Sequence, residues 1–235
     1  MTTSTAAVAA PTTSNPAAMW ERIWRMSGIQ FVVLSIVTLV ISGLAPGIGA
    51  SVEELVGFYD GNTRVLIGAA FAGLNLLNLL WFVAAIRTTL AEHGQDGWGT
   101  AATIASAMVG GLGFAIIALS AALSFSITGS GNVVFASGLN DLSWTAVVAS
   151  SFPRAMLIMS TAFGLFRANL ISKNLFAVGV ALVILGVLGG TTWLPDGFWA
   201  PDGAFSRFIL PALSLGWIVV LSRVMARVPS TRTGF

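Results

Sequence analysis

Cysteine is absent from this 235-residue chain, and histidine occurs once, at His93. Without thiols the chain can form no disulfide, no thiolate nucleophile and no cysteine-based metal site. A single imidazole beside the loop carboxylates Glu92 and Asp96 makes a poor ligand set for zinc. We therefore expect no bound metal and no cofactor.

Charged residues are also scarce. They make up 9% of the chain, whereas soluble domains carry about 25%. Hydrophobic residues make up 56%, so the lipid bilayer is the solvent that fits this composition. The basic residues form no run and no nucleic-acid-binding motif, and nucleic acid is therefore not an expected partner.

Six long apolar segments divide the chain, and each is close to the roughly 20 residues that a spanning helix needs. They predict an all-α polytopic membrane protein with six transmembrane helices in one bundle, over residues 19–228. The predicted spans are 28–50, 65–86, 101–127, 142–166, 175–194 and 205–225. Residues 1–18 are rich in Thr, Ala, Pro and Ser and are predicted to be a disordered cytoplasmic tail, and residues 229–235 a short cytoplasmic tail.

The basic residues are distributed unevenly between the two ends of these segments. If the N-terminus is cytoplasmic, only Arg64 and Arg207 fall on the outer side. The inner side then holds Arg22, Arg25, Arg87, Arg167, Lys173, Arg223, Arg227 and Arg232. Because cytoplasmic loops collect Lys and Arg, we predict a multi-pass plasma (inner) membrane protein with both termini in the cytoplasm. Arg207, at the start of the sixth segment, is expected to snorkel to the outer interface.

The loop after the first segment contains SVEELVGFYDGN, residues 51–62. Ser51 and Glu54 have the spacing of a capping box, and the DGN triplet supplies a turn. We predict a short amphipathic helix on the outer membrane face, with Glu53, Glu54 and Asp60 as the outer-face acids. Two interpretations are open: a connector that shields the bundle, or a lid over an outward cavity.

The stretch SSFPRAML, residues 150–157, places Arg154 near the middle of a hydrocarbon core about 30 Å thick. A cation there costs at least about 2.5–3.5 kcal/mol, so it must face the bundle or water. None of the six segments contains Asp or Glu. The partners of Arg154 must therefore be neutral groups or a bound molecule, and the carboxylate relay of a proton-coupled pump is missing.

Neutral side chains at a similar depth are the predicted partners of Arg154. The second segment carries two asparagines at i, i+3 spacing, which puts them on one helix face. Two serines precede the arginine on its own segment, and Pro153 cannot donate to the carbonyl of Ala149, which leaves that acceptor free. The candidate ligand-binding residues are Arg154, Asn75, Asn78, Ser150 and Ser151.

This polar cluster has two interpretations. In the first, asparagine side chains, free carbonyls, water and an outer-loop carboxylate satisfy the guanidinium structurally. In the second, a lipid headgroup, an anion or a carbonyl oxygen supplies the last partner. A second pattern, the GxxxG spacing of Gly186 and Gly190, permits close helix approach. There we expect packing inside the bundle rather than a dimer face.

Several quoted features together resemble a known type of protein. The interfacial EELVGFYDGNTR, the span ending in WFVAAIR and the mid-bundle FPRAML are similar in layout to six-span integral membrane proteins of high-GC bacteria, of the domain-of-unknown-function kind. The resemblance covers about residues 20–228. It implies an α-helical plasma-membrane protein and brings no catalytic residues with it.

Three functions are compatible with this sequence. The first is a non-enzymatic membrane protein that binds a lipid or a lipophilic small molecule, or that serves as a subunit with another membrane protein. The second is a membrane-embedded enzyme for a lipophilic substrate, in which Arg154 and the two asparagines polarise a substrate oxygen. The proton donor or nucleophile would come from Tyr59, Glu53, Glu54 or Asp60. The third is an oligomeric transporter.

Overall fold

The computed structural model describes residues 23–228, except the side chain at position 133. Within that range all regular structure is helical. The helices are α1 (Ser27–Ser42), α2 (Val52–Tyr59), α3 (Thr63–Glu92), α4 (Asp96–Ala122), α5 (Val133–Ala149), α6 (Ser151–Arg167), α7 (Lys173–Gly189) and α8 (Leu210–Arg227). The predicted tails, 1–18 and 229–235, lie outside the described residues.

Four helical stretches are long and apolar enough to cross a membrane. They are Thr63–Glu92, Asp96–Ser130, Val134–Arg167 and Phe205–Arg227. The first and fifth predicted segments form shorter apolar helices: α1 has 16 residues and α7 has 17. The described chain is thus an all-helical protein of membrane type with four candidate spans.

Local sequence signals explain where the helices depart from the predicted spans. The first span was predicted over 28–50, but α1 ends at Ser42, where Gly43 takes a left-handed φ of 75°. Glycine adopts this conformation without the steric cost of a side chain and commonly ends helices. The third span instead extends beyond its predicted end, through a π-helical turn at Leu123–Ile127, as far as Ser130.

The fourth predicted span, 142–166, consists of two helices that meet at Ser150. Helix α5 begins earlier than expected because the side-chain oxygen of Asn132 accepts the N–H of Phe135 at 3.3 Å and caps the helix. Helix α6 carries Pro153 in its first turn, where a proline is tolerated although it removes one backbone donor. The polar stretch around Arg154 therefore lies at a helix junction.

The bundle has two opposite ends, and the first and last described residues lie together at one of them. Arg25 Nη1 donates to the carbonyl of Val228 at 2.6 Å, so the two ends of the described chain meet. We call this the inner end, and the opposite end, with loops 43–62 and 190–204, the outer end. Helix α3 packs against α1 and α4, α6 against α4 and α7, and α8 against α1 and α7.

The main hydrophobic core lies in the inner half of the bundle. This inner core cluster comprises Phe82, Ala85, Ile86, Leu90, Ile158, Ala162, Leu165, Ile171, Leu182, Trp217, Leu221 and Met225. Glycines let α7 approach α6 closely: a Cβ at Gly186 would lie 2.9 Å from the Cβ of Ala155, and one at Gly190 would meet the Phe152 ring. The predicted role of this GxxxG pair, packing inside the bundle, is confirmed.

Candidate functional site

A cavity of about 330 Å³ lies between α1, α3, α6 and the last helix of the chain, α8. Its walls are mainly apolar side chains of these four helices. The polar groups that line it are three hydroxyl residues and two arginines: Ser35, Thr161, Ser214, Arg154 and Arg207. Among the described residues that line this cavity there is no Asp or Glu. Its volume is at the lower end of the range of about 300–1,000 Å³ for ligand pockets.

Arg154 lines the cavity and folds back along its own helix. Its Nη2 donates to the carbonyl of Val147 at 3.0 Å and to the hydroxyl of Ser150, and its Nε donates to the Ser150 carbonyl at 3.3 Å. Helical side chains point toward the N-terminus of their helix, so the guanidinium lies one to two turns outward of its Cα. The charge is therefore displaced toward the outer end from the depth predicted by residue counting.

The remaining nitrogen of this guanidinium has no acceptor in the described part of the chain. Arg154 Nη1 carries two N–H groups, and within residues 23–228 neither donates a hydrogen bond. The two carbonyls that accept from the Arg154 side chain also accept from other donors. The Val147 carbonyl accepts from the Ser150 hydroxyl at 2.6 Å, and the Ser150 carbonyl from the Arg154 backbone N–H at 3.1 Å. The local backbone therefore does not depend on the guanidinium for its hydrogen bonds.

The two asparagines of the predicted cluster form hydrogen bonds with groups other than Arg154. Asn75 Nδ2 donates to the Ser35 hydroxyl of α1 at 2.8 Å, and Asn78 Nδ2 donates to the Leu74 carbonyl of its own helix at 3.3 Å. Neither is hydrogen-bonded to Arg154 among the described residues. The buried Asn75 Oδ1 has no partner in this part of the chain. The prediction rested on similar depth and on the shared face of the two asparagines, but neither fixes which helix that face meets, and Asn75 is turned toward α1.

Of the two predicted serines, one takes part in the arginine's hydrogen bonds. Ser150 supplies both its hydroxyl and its carbonyl to Arg154. Ser151 is buried at the contact with α7, where its hydroxyl oxygen would lie 3.2 Å from a Cβ at Gly189. Pro153 was predicted to leave the Ala149 carbonyl free as an acceptor for Arg154. The backbone acceptors of Arg154 are instead the carbonyls of Val147 and Ser150.

Arg207 is the functional candidate that sequence reasoning missed. It was assigned to the outer interface as a snorkelling residue, yet it lines the same cavity as Arg154. Its Cζ lies 5.2 Å from the centroid of the Trp144 ring, and its Nη2 donates to the carbonyl of Ala45. Its position at the start of the sixth apolar segment, four residues before Pro211, marked it as a helix-end residue and nothing more.

The two arginines lie at similar heights along the cavity. Trp217 Nε1 donates to Thr161 Oγ1 at 3.3 Å, which aligns α8 with α6 at that level. Residues 154 to 161 span about 10 Å of helix and residues 207 to 217 about 15 Å. Arg207 lies in the π-helical turn Phe205–Ile209 that leads into α8. Because α6 and this turn with α8 both run from the outer to the inner end, the Cα of Arg207 lies only about 5 Å farther out than that of Arg154. The outer half of the cavity is cationic and the inner half apolar.

The predicted helix of the outer loop forms as helix α2. The capping box is present, with the Glu54 N–H donating to Ser51 Oγ at 3.3 Å and the Ser51 N–H to Glu54 Oε2 at 3.0 Å. Leu55 and Tyr59 are buried against the outer ends of α3, α4 and α5. Glu53, Glu54 and Asp60 are exposed, and the lining of the cavity includes no residue of α2. The helix is therefore placed as a connector, not as a lid over this cavity.

Tyr59 anchors this connector by a buried hydrogen bond. Its hydroxyl donates to Asn140 Oδ1 at 3.2 Å. Burial raises the pKa of Tyr59 to about 12, because desolvation disfavours the phenolate. At neutral pH the phenol is therefore a firmly protonated structural donor, and it does not reach the cavity.

The loop before α2, residues 43–50, is held by side chains from distant parts of the chain. We call it the clamped loop. Its five bonds are Arg207 Nη2 to the Ala45 carbonyl, Trp144 Nε1 to the Pro46 carbonyl (2.7 Å), Asn140 Nδ2 to the Gly47 carbonyl (2.8 Å), the Ile48 N–H to Asp202 Oδ2 (3.3 Å) and the Gly49 N–H to Asp141 Oδ1 (2.9 Å). In each of the five consecutive residues 45–49, one backbone group is thus hydrogen-bonded to a side chain from a distant part of the chain, without any regular secondary structure.

Comparison with known proteins identifies no relative. No family model, no curated protein and no solved structure matches this chain. The resemblance to six-span proteins of high-GC bacteria therefore stays a prediction, and the function must be argued from the cavity itself.

Proposed function

We propose that this chain is a six-span protein of the bacterial plasma membrane with both termini in the cytoplasm. The meeting of Arg25 with Val228 supports an even number of crossings. Helix α1 is short, but residues 23–25 are also helical and lie just before it, separated by a turn at Met26. Helix α7 has 17 residues, the lower limit of the roughly 17–25 residues of spanning helices. The excess of basic residues at the inner end supports the orientation.

We further propose that the cavity binds a lipophilic molecule that carries an anionic or carbonyl oxygen. The observation that carries this proposal is that two arginines line a largely apolar cavity whose described lining contains no carboxylate. An unpaired cation in an apolar environment is costly unless an acceptor is present. Arg154 Nη1 keeps two donors available for that acceptor, and hydrogen bonds between ionised groups are about twice as strong as neutral ones.

The apolar inner half of the cavity suits the remainder of such a ligand. Leu79, Phe82, Ile86 and Leu221 line it, and burying an alkyl chain there removes apolar surface from water or from the headgroup region. The ligand would therefore lie with its polar oxygen toward the outer end and its tail toward the inner core cluster.

Binding accounts for these groups better than catalysis does. A membrane-embedded enzyme would need a proton donor or a nucleophile beside the substrate oxygen. The predicted suppliers Glu53, Glu54, Asp60 and Tyr59 are all absent from the lining of the cavity, and the hydroxyl of Ser214 donates to the Leu210 carbonyl at 2.8 Å.

The test is a thermal-shift screen of the purified protein against long-chain carboxylates, anionic lipids and their neutral esters. A ligand that binds the native state raises its melting temperature. We expect stabilisation of the wild type by the anionic compounds, loss of that shift in Arg154→Ala, and partial retention in Arg154→Lys, since lysine keeps the charge but not the planar fork. Arg64→Ala is the matched control, because Arg64 is exposed at the outer end of α3 and does not line the cavity. Equal responses of wild type and Arg154→Ala to every compound would refute the proposal.

A further inference from the structure

We propose that the ligand of this cavity is a phosphate monoester on a single alkyl chain, and that Arg154 and Arg207 together hold its doubly charged headgroup. This inference rests on the proposed function, because it names the class of ligand for the same cavity. Both arginines line the cavity, and neither forms an ion pair within the described part of the chain. The ligand therefore meets two fixed positive charges in a largely apolar space.

The acids of the outer end do not neutralise these two charges. Asp141 and Asp202 each accept a backbone N–H of the clamped loop, at 2.9 Å and 3.3 Å, and neither lines the cavity. Arg207 lies instead against the Trp144 ring, with 5.2 Å between its Cζ and the ring centroid. A cation–π contact stabilises a cation without cancelling its charge. Both positive charges therefore remain for the ligand.

Each arginine also keeps donors for the headgroup. Arg154 Nη1 and, on Arg207, Nε and Nη1 donate to no group of residues 23–228. The Arg154 guanidinium extends outward to the Val147 carbonyl, and the Cα of Arg207 lies only about 5 Å farther out than that of Arg154. The two groups thus approach one level of the cavity from α6 and from the turn before α8. A phosphate monoester presents three terminal oxygens to such donors, whereas a carboxylate presents two.

Charge favours a doubly charged headgroup over a singly charged one. A cation without a counter-charge is costly in an apolar environment, and a carboxylate or a sulfate ester leaves one of the two guanidinium charges uncompensated. A phosphate monoester has a second pKa of about 6 and carries close to two negative charges above that pH. It therefore compensates both arginines at neutral pH.

The size of the cavity limits the rest of the ligand to one chain. Because a cavity of about 150 Å³ holds a benzene molecule, the volume of about 330 Å³ here corresponds to about a dozen non-hydrogen atoms. A phosphate group takes about five of these, which leaves room for roughly eight carbons. Buried side chains, Ile86, Trp217 and Leu221, line the apolar inner half. A medium-length alkyl chain fits this space, whereas the two chains of a phospholipid do not.

The test compares octyl phosphate with octyl sulfate, which share the chain and the tetrahedral headgroup and differ by one charge. Isothermal titration calorimetry of the protein in dodecyl maltoside micelles measures both Kd values, with titrations into empty micelles subtracted. At about pH 8 we expect octyl phosphate to bind at least about tenfold more tightly, because it forms further charge-assisted hydrogen bonds. This preference should shrink toward about pH 5, because the phosphate gains a proton near pH 6. Octyl sulfate stays singly charged and reports any titration of the protein itself.

Variants of Arg207 locate the second charge. Arg207→Met should abolish the preference for phosphate while octyl sulfate still binds through Arg154. Arg207→Lys should retain most of the preference, because lysine keeps the charge but not the planar fork. Arg64→Ala is the control, since Arg64 is exposed and does not line the cavity. An unchanged preference in Arg207→Met would overturn the role given to this residue.

The outcomes separate this inference from the proposed function. If the wild type binds octyl phosphate and octyl sulfate equally at about pH 8, the doubly charged headgroup is refuted, while the proposed function stands. If neither compound binds, the inference fails, and the proposed function fails with it when the long-chain carboxylates also give no thermal shift. Inorganic phosphate should bind far more weakly than octyl phosphate, because it leaves the apolar half unfilled. Equal binding of the two would contradict a lipophilic ligand and therefore both proposals.

Discussion

The inner and outer halves of this bundle are held together by different forces. In the inner half, the inner core cluster packs large side chains such as Ile86 and Leu165 at 0% exposure. In the outer half, the clamped loop is fixed by five hydrogen bonds from side chains to backbone groups. The cavity lies between them and takes its apolar wall from the first region and its cations from the second.

This difference separates a part of the molecule that resists unfolding from a part whose contacts can be exchanged singly. Packing contacts are many and individually weak, so they give way only together. Single hydrogen bonds at a loop can be exchanged one at a time for bonds to water or to a ligand. The separation of these two kinds of region can be tested.

The largest effect is expected in the inner core cluster. Leu165→Ala should lower the free energy of unfolding by about 2–5 kcal/mol, because the truncation leaves a cavity that rigid helices fill poorly. Leu74→Ala is the matched control, since Leu74 on α3 is 60% exposed and its change should be within about 0.5 kcal/mol. Unfolding in mixed micelles with increasing denaturing detergent measures both. Equal losses in the two variants would show that the inner half is not the stabilising region.

The next effect contrasts the two arginines of the cavity. Without ligand, Arg207→Met should cost about 0.5–1.5 kcal/mol, because the half-buried Ala45 carbonyl loses its donor. Arg154→Met should cost nothing or stabilise the protein, because the Val147 and Ser150 carbonyls keep other donors and a desolvated cation is removed. The same unfolding measurement compares the variants.

A loss in Arg154→Met as large as that in Arg207→Met would make Arg154 a structural residue. The comparison therefore decides between the two interpretations that the sequence left open. A cation that can be removed without loss of stability, but whose removal abolishes the response to anions, is retained for binding and not for folding.

How much of this could be predicted from the sequence differs between the two halves as well. Segment length and apolar composition predicted a helix in each of the six apolar segments, and each contains one, although residues 43–50 of the first form a loop. The capping box of Ser51 and Glu54 forms as predicted. Both signals are local, because the groups that interact are within one helical turn. The spacing of Gly186 and Gly190 also identified a close helix contact correctly.

The candidate site was harder to predict because its contacts depend on helix rotation and on distant loops. Equal depth suggested Asn75 as a partner of Arg154, but depth does not fix which neighbour a helix face meets. The clamp on residues 45–49 joins positions 92 to 162 residues apart. One signal could have indicated it: a Pro- and Gly-rich loop beside the membrane must find partners for its backbone groups, and Asn140, Asp141 and Trp144 are grouped at the nearest helix.

A smaller effect concerns Tyr59, the only tyrosine of the chain. Tyr59→Phe keeps the ring packing but loses the hydrogen bond to Asn140, which should cost about 1 kcal/mol at neutral pH. The pKa of Tyr59 is raised to about 12 in the folded protein from about 10 in the unfolded chain. Its contribution to stability is therefore complete below about pH 10 and is lost as the pH rises from about 10 to about 12.

The absorbance of phenolate reports this titration directly, since no other tyrosine contributes. We expect a midpoint well above 10 in the folded protein, and a smaller loss of stability with alkaline pH in Tyr59→Phe than in wild type. A midpoint near 10 would mean that the outer connector opens enough to hydrate Tyr59, and the outer half would then be looser than its hydrogen bonds indicate.

The smallest effect is expected at the inner surface, where polar contacts are exposed. Arg87 Nε and Asp96 Oδ1 are 3.9 Å apart, with side-chain exposures of 50% and 64%. Because solvent screens such pairs, Asp96→Asn should change the free energy of unfolding by less than about 0.5 kcal/mol. Ser51→Ala at the outer end removes a helix cap and should cost more, about 0.5–2 kcal/mol. If Asp96→Asn proves the more damaging, the inner end also depends on a polar clamp, and the division of the bundle into a packed half and a hydrogen-bonded half is wrong.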